Sequence, residues 1–210
     1  MGIYEFAGCV VSYEPLYGLL RRRMETYRSD TERQPDITLD GTKEDYEKLR
    51  KQYPHLSIEE CEYSCAGAEF YMKLLKHQGF MIHASAVEKE GKAYLFSAPS
   101  GTGKSTHAQL WRQTFKGEPI RIINDDKPAV CLQNGVFYAC GTPFSGKTDK
   151  NENRKAPIQG LCMLHRGKTN KIQKITSGEA LPLILPQTLF YGDEEETNLL
   201  LSFLDRFLQS

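Results

Sequence analysis

The sequence predicts an α/β fold in which a mixed β-sheet is wrapped by helices. Short runs rich in β-branched and aromatic residues alternate with longer segments whose apolar residues recur at helical spacing. A glycine-rich loop also follows one apolar run directly and precedes an amphipathic segment. The 210 residues are 40% hydrophobic and 26% charged, which is enough apolar material for a core. We expect a small α+β extension over residues 1–78, packed on a core formed by residues 79–210.

Charge and composition narrow the classes of partner. The formal net charge is +0, which gives no electrostatic case for a nucleic-acid partner. No apolar run approaches the ~20 residues that a bilayer span requires, and the first residues lack the pattern of a secretory signal. The six cysteines form no CxxC pair, so reduced thiols are the simplest interpretation. We therefore expect a cytoplasmic protein without a membrane partner.

The N-terminal extension is predicted to contain two strands and three helices. The strands are 3–13 and 35–40, and the helices are 15–27, 42–53 and 57–78. The second and third helices each begin with a capping box, in which Thr42 is followed by Asp45 (an imperfect form) and Ser57 by Glu60. Gly79 stands where the C-terminal glycine of a helix is expected.

The rest of the chain is predicted to form the sheet and its covering helices. The strands are 80–87, 93–97, 121–123, 128–132, 136–140, 161–165 and 172–175, and the helices are 106–115, 177–185 and 194–209. Asn134-Gly135 is a strong signal for a two-residue hairpin turn. Residues 141–155 lack periodicity and are predicted to be a polar loop.

The loop from Ala98 to Ser105 carries the most specific chemical signal. A P-loop, or Walker A motif, has Gly, four residues, and Gly-Lys-Ser/Thr; here Ala98 replaces the first glycine. The later glycines let successive backbone N–H groups turn toward phosphate oxygens, and the helix that follows adds its positive N-terminal end. Lys104 would bridge the β- and γ-phosphates, and the Ser105 hydroxyl would ligate Mg²⁺.

We therefore predict that the loop binds ATP, or another nucleoside triphosphate, together with Mg²⁺. The alternative is a glycine-rich surface loop, which leaves the Lys104-Ser105-Thr106 run unexplained. The predicted nucleotide-binding residues are Pro99, Ser100, Gly101, Thr102, Gly103, Lys104, Ser105 and Thr106.

Two aspartates end an apolar strand downstream of this loop. Side chains of adjacent strand residues point to opposite sides, but at a strand end Asp125 and Asp126 could both face the site. One carboxylate could hold Mg²⁺, and the other could accept the proton of a substrate hydroxyl; a solvated turn is the alternative. His83, taken alone in an apolar strand, is more often a core residue.

Three segments together resemble a known superfamily. Ile82–Val87, Phe96–Ser105 and Ile123–Asp126 are similar to the HPr kinase/phosphorylase and phosphoenolpyruvate carboxykinase superfamily, and more closely to the small HPr-kinase-related proteins of bacteria. Several of those lie beside genes for ribosomal peptide modification. Gly141–Lys147 resembles the loop that these small proteins carry after the aspartate pair. The match spans about residues 80 to 165 and implies an α/β nucleotide-binding core of this type.

The resemblance implies roles by position. His83 matches the histidine that binds the catalytic divalent metal in the carboxykinases, and Asp126 matches an aspartate that also contacts metal. Asp125 matches the base that activates the target seryl hydroxyl in HPr kinases. The metal-binding lysine and substrate-binding arginines of the carboxykinases have no identified counterpart, which argues against decarboxylation of oxaloacetate. HPr kinases form hexamers, so the resemblance leaves a homo-oligomer open.

The polar loop after the aspartates supplies further cations. Lys147 is the first candidate for a side chain that folds over the γ-phosphate, and Arg154 is the second; an ordinary solvated loop is the alternative. The expected function is an ATP-dependent kinase that phosphorylates a hydroxyl of a peptide, a protein or a small molecule. A non-catalytic nucleotide-binding regulatory module and a carboxykinase-like lyase remain as alternatives.

Overall fold

The structure is a computed structural model that describes residues 1–115, 117–189 and 192–210. Helices are interspersed among runs of strands along the chain, with short 3₁₀ turns after three of the helices. The strands are β1 (Gly2–Phe6), β2 (Cys9–Tyr13), β3 (Ile37–Thr38), β4 (Gly79–Met81), β5 (Ala84–Lys89), β6 (Lys92–Ser97), β7 (Arg121–Asn124), β8 (Ala129–Gln133), β9 (Val136–Cys140) and β10 (Lys155–Met163). The helices are α1 (Gly18–Met24), α2 (Lys43–Gln52), α3 (Ile58–Leu74), α4 (Lys104–Thr114), α5 (Ser177–Ile184) and α6 (Glu194–Gln209).

The strands form a small sheet and a large mixed sheet. The small sheet has the order β1-β2-β3, and the large one has the order β4-β8-β9-β10-β6-β5-β7. In the large sheet, β6 and β10 are parallel and the other neighbouring strands are antiparallel. The predicted α/β fold class with a mixed sheet is confirmed.

The two ends of the large sheet are joined by the chain itself. Residues 79–89 run antiparallel to residues 121–133, with Gly79 opposite Cys131 and Ala86 opposite Asn124. Between the named strands, the amide of Ala84 still donates to the carbonyl of Asp126 at 3.0 Å. Because β4 continues into β5 along the chain, and β7 into β8, this pairing curls the sheet onto itself.

Three hydrophobic clusters pack against the large sheet. One contains Phe6, Phe70 and Phe144 and joins the N-terminal extension to β4, β8 and β9. The second packs the opposite sheet face against α5 and α6, and the third packs Val87 and Phe96 against α4. Every helix in the described ranges is too short or too polar to span a membrane. The predicted domain boundary between Gln78 and Gly79 stays a prediction.

Both capping boxes predicted for the N-terminal extension are confirmed, and each forms both of its hydrogen bonds. The single strand predicted over 3–13 was wrong, because Ala7 and Gly8 adopt positive φ angles of 53° and 80° and turn the chain into the β1–β2 hairpin. The helix-terminating role given to Gly79 was also wrong. Gln78 takes the left-handed conformation, with φ of 59°, and Gly79 already pairs in β4.

Two further differences concern the strands of the core. The strand predicted over 80–87 is divided into β4 and β5, because Ile82 and His83 leave the regular ladder. The strand predicted over 161–165 begins earlier, at Lys155, and the one predicted over 172–175 is irregular and exposed. The hairpin around Asn134-Gly135 is confirmed, with positive φ at both turn residues.

Gly141, the first residue of the polar loop, lies close to the backbone of Glu152. A Cβ atom on Gly141 would overlap the backbone carbonyl oxygen of Glu152, and backbone cannot move away as a flexible side chain can. We expect Gly141→Ala to lower the free energy of unfolding by about 1–3 kcal/mol, measured by urea denaturation. Gly160→Ala is the control, since a Cβ there would meet nothing within 4 Å. Equal stabilities of the two variants would contradict the described path of the loop.

Candidate functional site

The loop that joins β6 to α4 is shaped by two glycines. Gly101 and Gly103 have φ angles of 77° and 115°, a region that residues with a side chain adopt only at a cost. A Cβ on either glycine would meet no atom of the described residues within 4 Å, apart from those of its chain neighbours. The backbone conformation therefore requires glycine at these positions, while the space around them stays open to a ligand.

The first turn of α4 differs from the start of the other α-helices. A hydroxyl or carboxylate side chain caps α2, α3, α5 and α6. At the start of α1, Glu62 and Glu59 accept hydrogen bonds from the amides of Tyr17 and Gly18. The N-cap of α4 is Gly103, with no side-chain cap and no acidic residue in the first turn. The free N–H groups and the helix dipole can therefore bind an anion there.

A cavity of about 260 Å³ opens above this helix start. It combines the β6–α4 loop with side chains from the segments that follow β4 and β7. Its lining residues are His83, Ser100, Gly101, Gly103, Lys104, Ser105, Thr106 and Asp126. Eight of the predicted site residues thus converge on one cavity. Pro99 and Thr102 belong to the same loop without lining it, and the Thr102 amide donates to the Pro99 carbonyl at 3.3 Å.

Lys104 brings a nearly buried cation to this cavity. Only 7% of the residue is exposed, and its ammonium group donates to the Ala98 carbonyl at 3.0 Å. Burial lowers the pKa of Lys104, while the negative charge of Asp126 acts in the opposite direction. An anionic ligand in the cavity would supply the charge partner that a buried ammonium group otherwise lacks.

His83 and Asp126, which both line the cavity, form a hydrogen-bonded pair. Nε2 of His83 lies 3.2 Å from Oδ1 of Asp126, and Nδ1 lies 3.0 Å from Oε1 of Gln187. Oδ2 of Asp126 also accepts from Lys127 at 2.8 Å. Burial raises the pKa of Asp126, but the His83 hydrogen bond and the Lys127 charge outweigh it and hold this pKa well below its usual range.

Asp125 points away from the cavity and holds the polar loop. Its Oδ1 accepts from the Gly146 amide at 2.8 Å, and its Oδ2 accepts from the Thr148 hydroxyl. The residue is 3% exposed. Within the described ranges, Asp125 is not among the residues that line the cavity. Strand alternation therefore separates the two aspartates, and the predicted role of Asp125 as base stays a prediction.

The two cations predicted from the polar loop also lie outside the lining of this cavity, among the residues described. Lys147 is exposed and close enough to Glu60, in the first turn of α3, to contribute to lowering the pKa of that carboxyl, after the hydrogen bonds from Ser57. Arg154 forms two hydrogen bonds to the Glu88 carboxylate, at 2.9 and 3.1 Å. The predicted contact of Lys147 with a phosphate stays a prediction.

Arg166 is a cation at this site that the sequence did not reveal. Its guanidinium group donates to the carbonyl of Gly101 at 2.7 Å. The contact arises because β10 is parallel to β6, so that the segments after both strands leave the sheet at the same edge. A signal was available in the sequence, since Arg166 directly follows a predicted strand, but only the strand order brings it beside the loop.

The cavity offers few metal ligands from protein side chains. Among the described residues, no three His, Cys, Asp or Glu side chains are grouped so that they could hold a metal ion. Mg²⁺ in nucleotide sites commonly needs one or two protein oxygens, with phosphates and water completing the shell. Ser105 and Asp126 are such oxygen donors, and His83 lies beside Asp126.

Comparison with known proteins adds no assignment: no protein-family model matches the chain, and no curated protein matches it in sequence.

The depressed pKa of Asp126 predicts a pH-dependent contribution to stability. Its folded pKa lies below the value of about 3.9 expected for the unfolded chain. The ionised carboxylate therefore stabilises the fold in full above about pH 4, and this contribution is lost as the pH falls through the folded pKa. We expect Asp126→Asn to lower the free energy of unfolding more at pH 7 than at pH 3, measured by urea denaturation. Asp30→Asn, at an exposed position, should have the same small effect at both. An equal loss of unfolding free energy at pH 7 and pH 3 in Asp126→Asn would contradict this prediction.

Proposed function

We propose that this protein is a phosphotransferase that moves the γ-phosphoryl group of ATP, or another nucleoside triphosphate, to a hydroxyl group. The observation that carries the proposal is that an uncapped helix start, a nearly buried lysine and a His–Asp pair line one cavity. In this proposal the β6–α4 loop is a P-loop, and the core is of the HPr kinase/phosphorylase and carboxykinase type that the motifs resemble.

The helix side of the cavity would bind the polyphosphate. The first-turn N–H groups of α4 and the Lys104 ammonium group are preorganised donors for phosphate oxygens. Arg166, which already contacts the loop at Gly101, adds a second cation at the same edge. Together these groups favour the charge that spreads over the equatorial oxygens during transfer.

The opposite side of the cavity would hold the acceptor. The hydroxyl oxygen forms a bond to the γ-phosphorus while the bond from that phosphorus to the β,γ-bridging oxygen breaks, and ADP leaves. The hydroxyl proton passes to water. Asp126 lines the cavity and would hold Mg²⁺ and orient the hydroxyl, whereas Asp125 holds the polar loop.

Mg²⁺ completes the proposal. Ser105 and Asp126 are the oxygen donors that would hold it, and it would neutralise charge on the β- and γ-phosphates. The orientation of Asp126 does not depend on the metal, because His83 and Lys127 fix its two oxygens.

The first test concerns nucleotide binding. Lys104→Ala removes the ammonium group from the cavity, and we expect Mg-ADP to bind about 10- to 100-fold more weakly, because a charge-assisted hydrogen bond contributes about 1.5–3 kcal/mol. Isothermal calorimetry measures the change. Lys92→Ala, at an exposed residue that begins β6, is the matched control and should bind as the wild type does. A wild-type protein that ignores Mg-ADP would end the proposal.

The second test separates the two aspartates. Transfer of a labelled γ-phosphate to free serine, serine-containing peptides and HPr would be measured for Asp126→Asn and Asp125→Asn. We expect Asp126→Asn to lower kcat by about 10- to 100-fold, because the proposed Mg²⁺ site loses its carboxylate. Asp125→Asn should have the smaller effect on kcat, and faster hydrogen exchange over residues 145–150, since an amide oxygen replaces only one of the two acceptors.

The reverse order of effects on kcat would return the proton-acceptor role to Asp125. Nucleotide binding that persists without transfer to any acceptor, in the wild type, would support the alternative of a regulatory binding module.

A further inference from the structure

Residues 165–174 form an exposed segment that we call the basic segment. It contains no acidic residue, and the flanking sequence contains none between Glu152 and Glu179. Its charged and titratable residues are His165, Arg166, Lys168, Lys171 and Lys174. The whole chain has a formal net charge of +0. The positive charge of this segment is therefore local and does not reflect a protein that is basic overall.

The side chains of the basic segment are available to a partner. Every residue from His165 to Lys174 is exposed and lies outside helices and strands. Cations elsewhere in the chain, such as Lys73, Lys127 and Arg154, are paired with carboxylates. In the part of the chain that the structure describes, the lysines of the basic segment form no such pair. Their charges are therefore uncompensated within the molecule.

An apolar side chain is exposed in the same place. Ile172, between Lys171 and Lys174, is 87% exposed, which is the largest value among the exposed large hydrophobic residues described. Contact with a partner would remove this aliphatic surface from water. A partner that carries both negative charge and aliphatic groups would satisfy both features.

The basic segment begins at the cavity of the proposed transfer reaction. The Leu164 amide donates to the Ser97 carbonyl at 2.8 Å, and Arg166 contacts Gly101. The segment therefore leaves the sheet beside the β6–α4 loop, where a γ-phosphate would lie. An acceptor that approaches the cavity from this edge passes the basic segment.

We propose that the basic segment is the docking surface for an acidic peptide acceptor, whose carboxylates lie near the serine or threonine that receives the phosphoryl group. This inference rests on the proposed function and adds the class of acceptor to it. A peptide fits better than a nucleic acid, because the segment contains no Phe, Tyr or Trp on which bases could stack and because aliphatic Ile172 suits a peptide side chain. Lys168, Lys171 and Lys174 would supply most of the attraction, and Arg166 would act at the cavity itself.

The experiment measures peptide binding directly. A fluorescein-labelled peptide with one serine among glutamates and leucines is titrated with the protein, and anisotropy is followed with and without Mg-ADP. We expect the wild type to bind it, with an affinity that falls as salt is added. The triple variant Lys168→Glu, Lys171→Glu, Lys174→Glu should bind about tenfold more weakly or worse, because like charges then face each other. Its affinity for Mg-ADP should be unchanged.

A charge-matched control distinguishes a docking surface from a general change in net charge. The triple variant Lys48→Glu, Lys51→Glu, Lys76→Glu alters exposed residues of α2 and of the turn after α3 by the same total charge. It should bind the acidic peptide as the wild type does. If circular dichroism shows that the first triple variant is unfolded, the three lysines are changed to glutamine, and the same loss of peptide affinity is expected.

Several outcomes would overturn the inference. These are an acidic peptide that the wild type does not bind, equal weakening by the control variant, or tighter binding of a single-stranded oligonucleotide of the same charge. Weaker Mg-ADP binding with unchanged peptide binding would assign the lysines to the nucleotide instead. Peptide binding without nucleotide is measured separately, so a failure of the proposed nucleotide site is distinguishable from a failure of this docking surface.

Discussion

The antiparallel pairing of residues 79–89 with residues 121–133 is the constraint on which the candidate site depends. It curls the large sheet and fixes which side chains meet where the ladder is irregular. In this register His83 lies across from the Asp126-Lys127 step, so the two parts of the His–Asp pair come from distant parts of the chain. A slip by one residue would move His83 to the other face of the sheet, where Ile82 and Ala84 now pack in the cluster with α5 and α6. The apolar residues of that cluster therefore determine the register that positions His83.

The polar loop is held from both sides of the molecule. On the core side, Asp125 binds the Gly146 amide. On the other side, Arg23 donates to the carbonyls of Ser145 and Gly146 at 2.9 and 3.1 Å, and the Tyr63 hydroxyl donates to the Ser145 carbonyl at 2.7 Å. The Arg23 side chain is only 10% exposed, so its contacts are shielded from water more than those of a surface pair. The N-terminal extension thus does more than cover a sheet: it helps to position the loop that orients Asp125.

Sequence alone predicted those parts of the site that are determined by local chemistry. The β6–α4 loop follows from glycines that need positive φ and from a lysine and serine at the helix start, which are neighbours in the chain. The capping boxes at Thr42 and Ser57 and the Asn134-Gly135 turn are local in the same sense. The opposite orientations of Asp125 and Asp126 follow from strand alternation, but the sequence could not show whether the strand end turns enough to overcome it. The position of Arg166 depends on β10 lying beside β6, a pairing between segments far apart in the chain that no local pattern encodes.

The charged groups around the cavity are compensated unequally. Lys104 is nearly buried beside a helix start that lacks a capping carboxylate, while the negative charge of Asp126 is already matched by the charge of Lys127. The helix side of the cavity therefore carries positive potential with little internal compensation, and the opposite side is close to neutral. Burial of an ammonium group without a full partner costs free energy, and the lowered pKa of Lys104 expresses that cost. A polyanion bound at the start of α4 would remove it, so the same imbalance that weakens the free protein slightly would strengthen the binding of a polyphosphate.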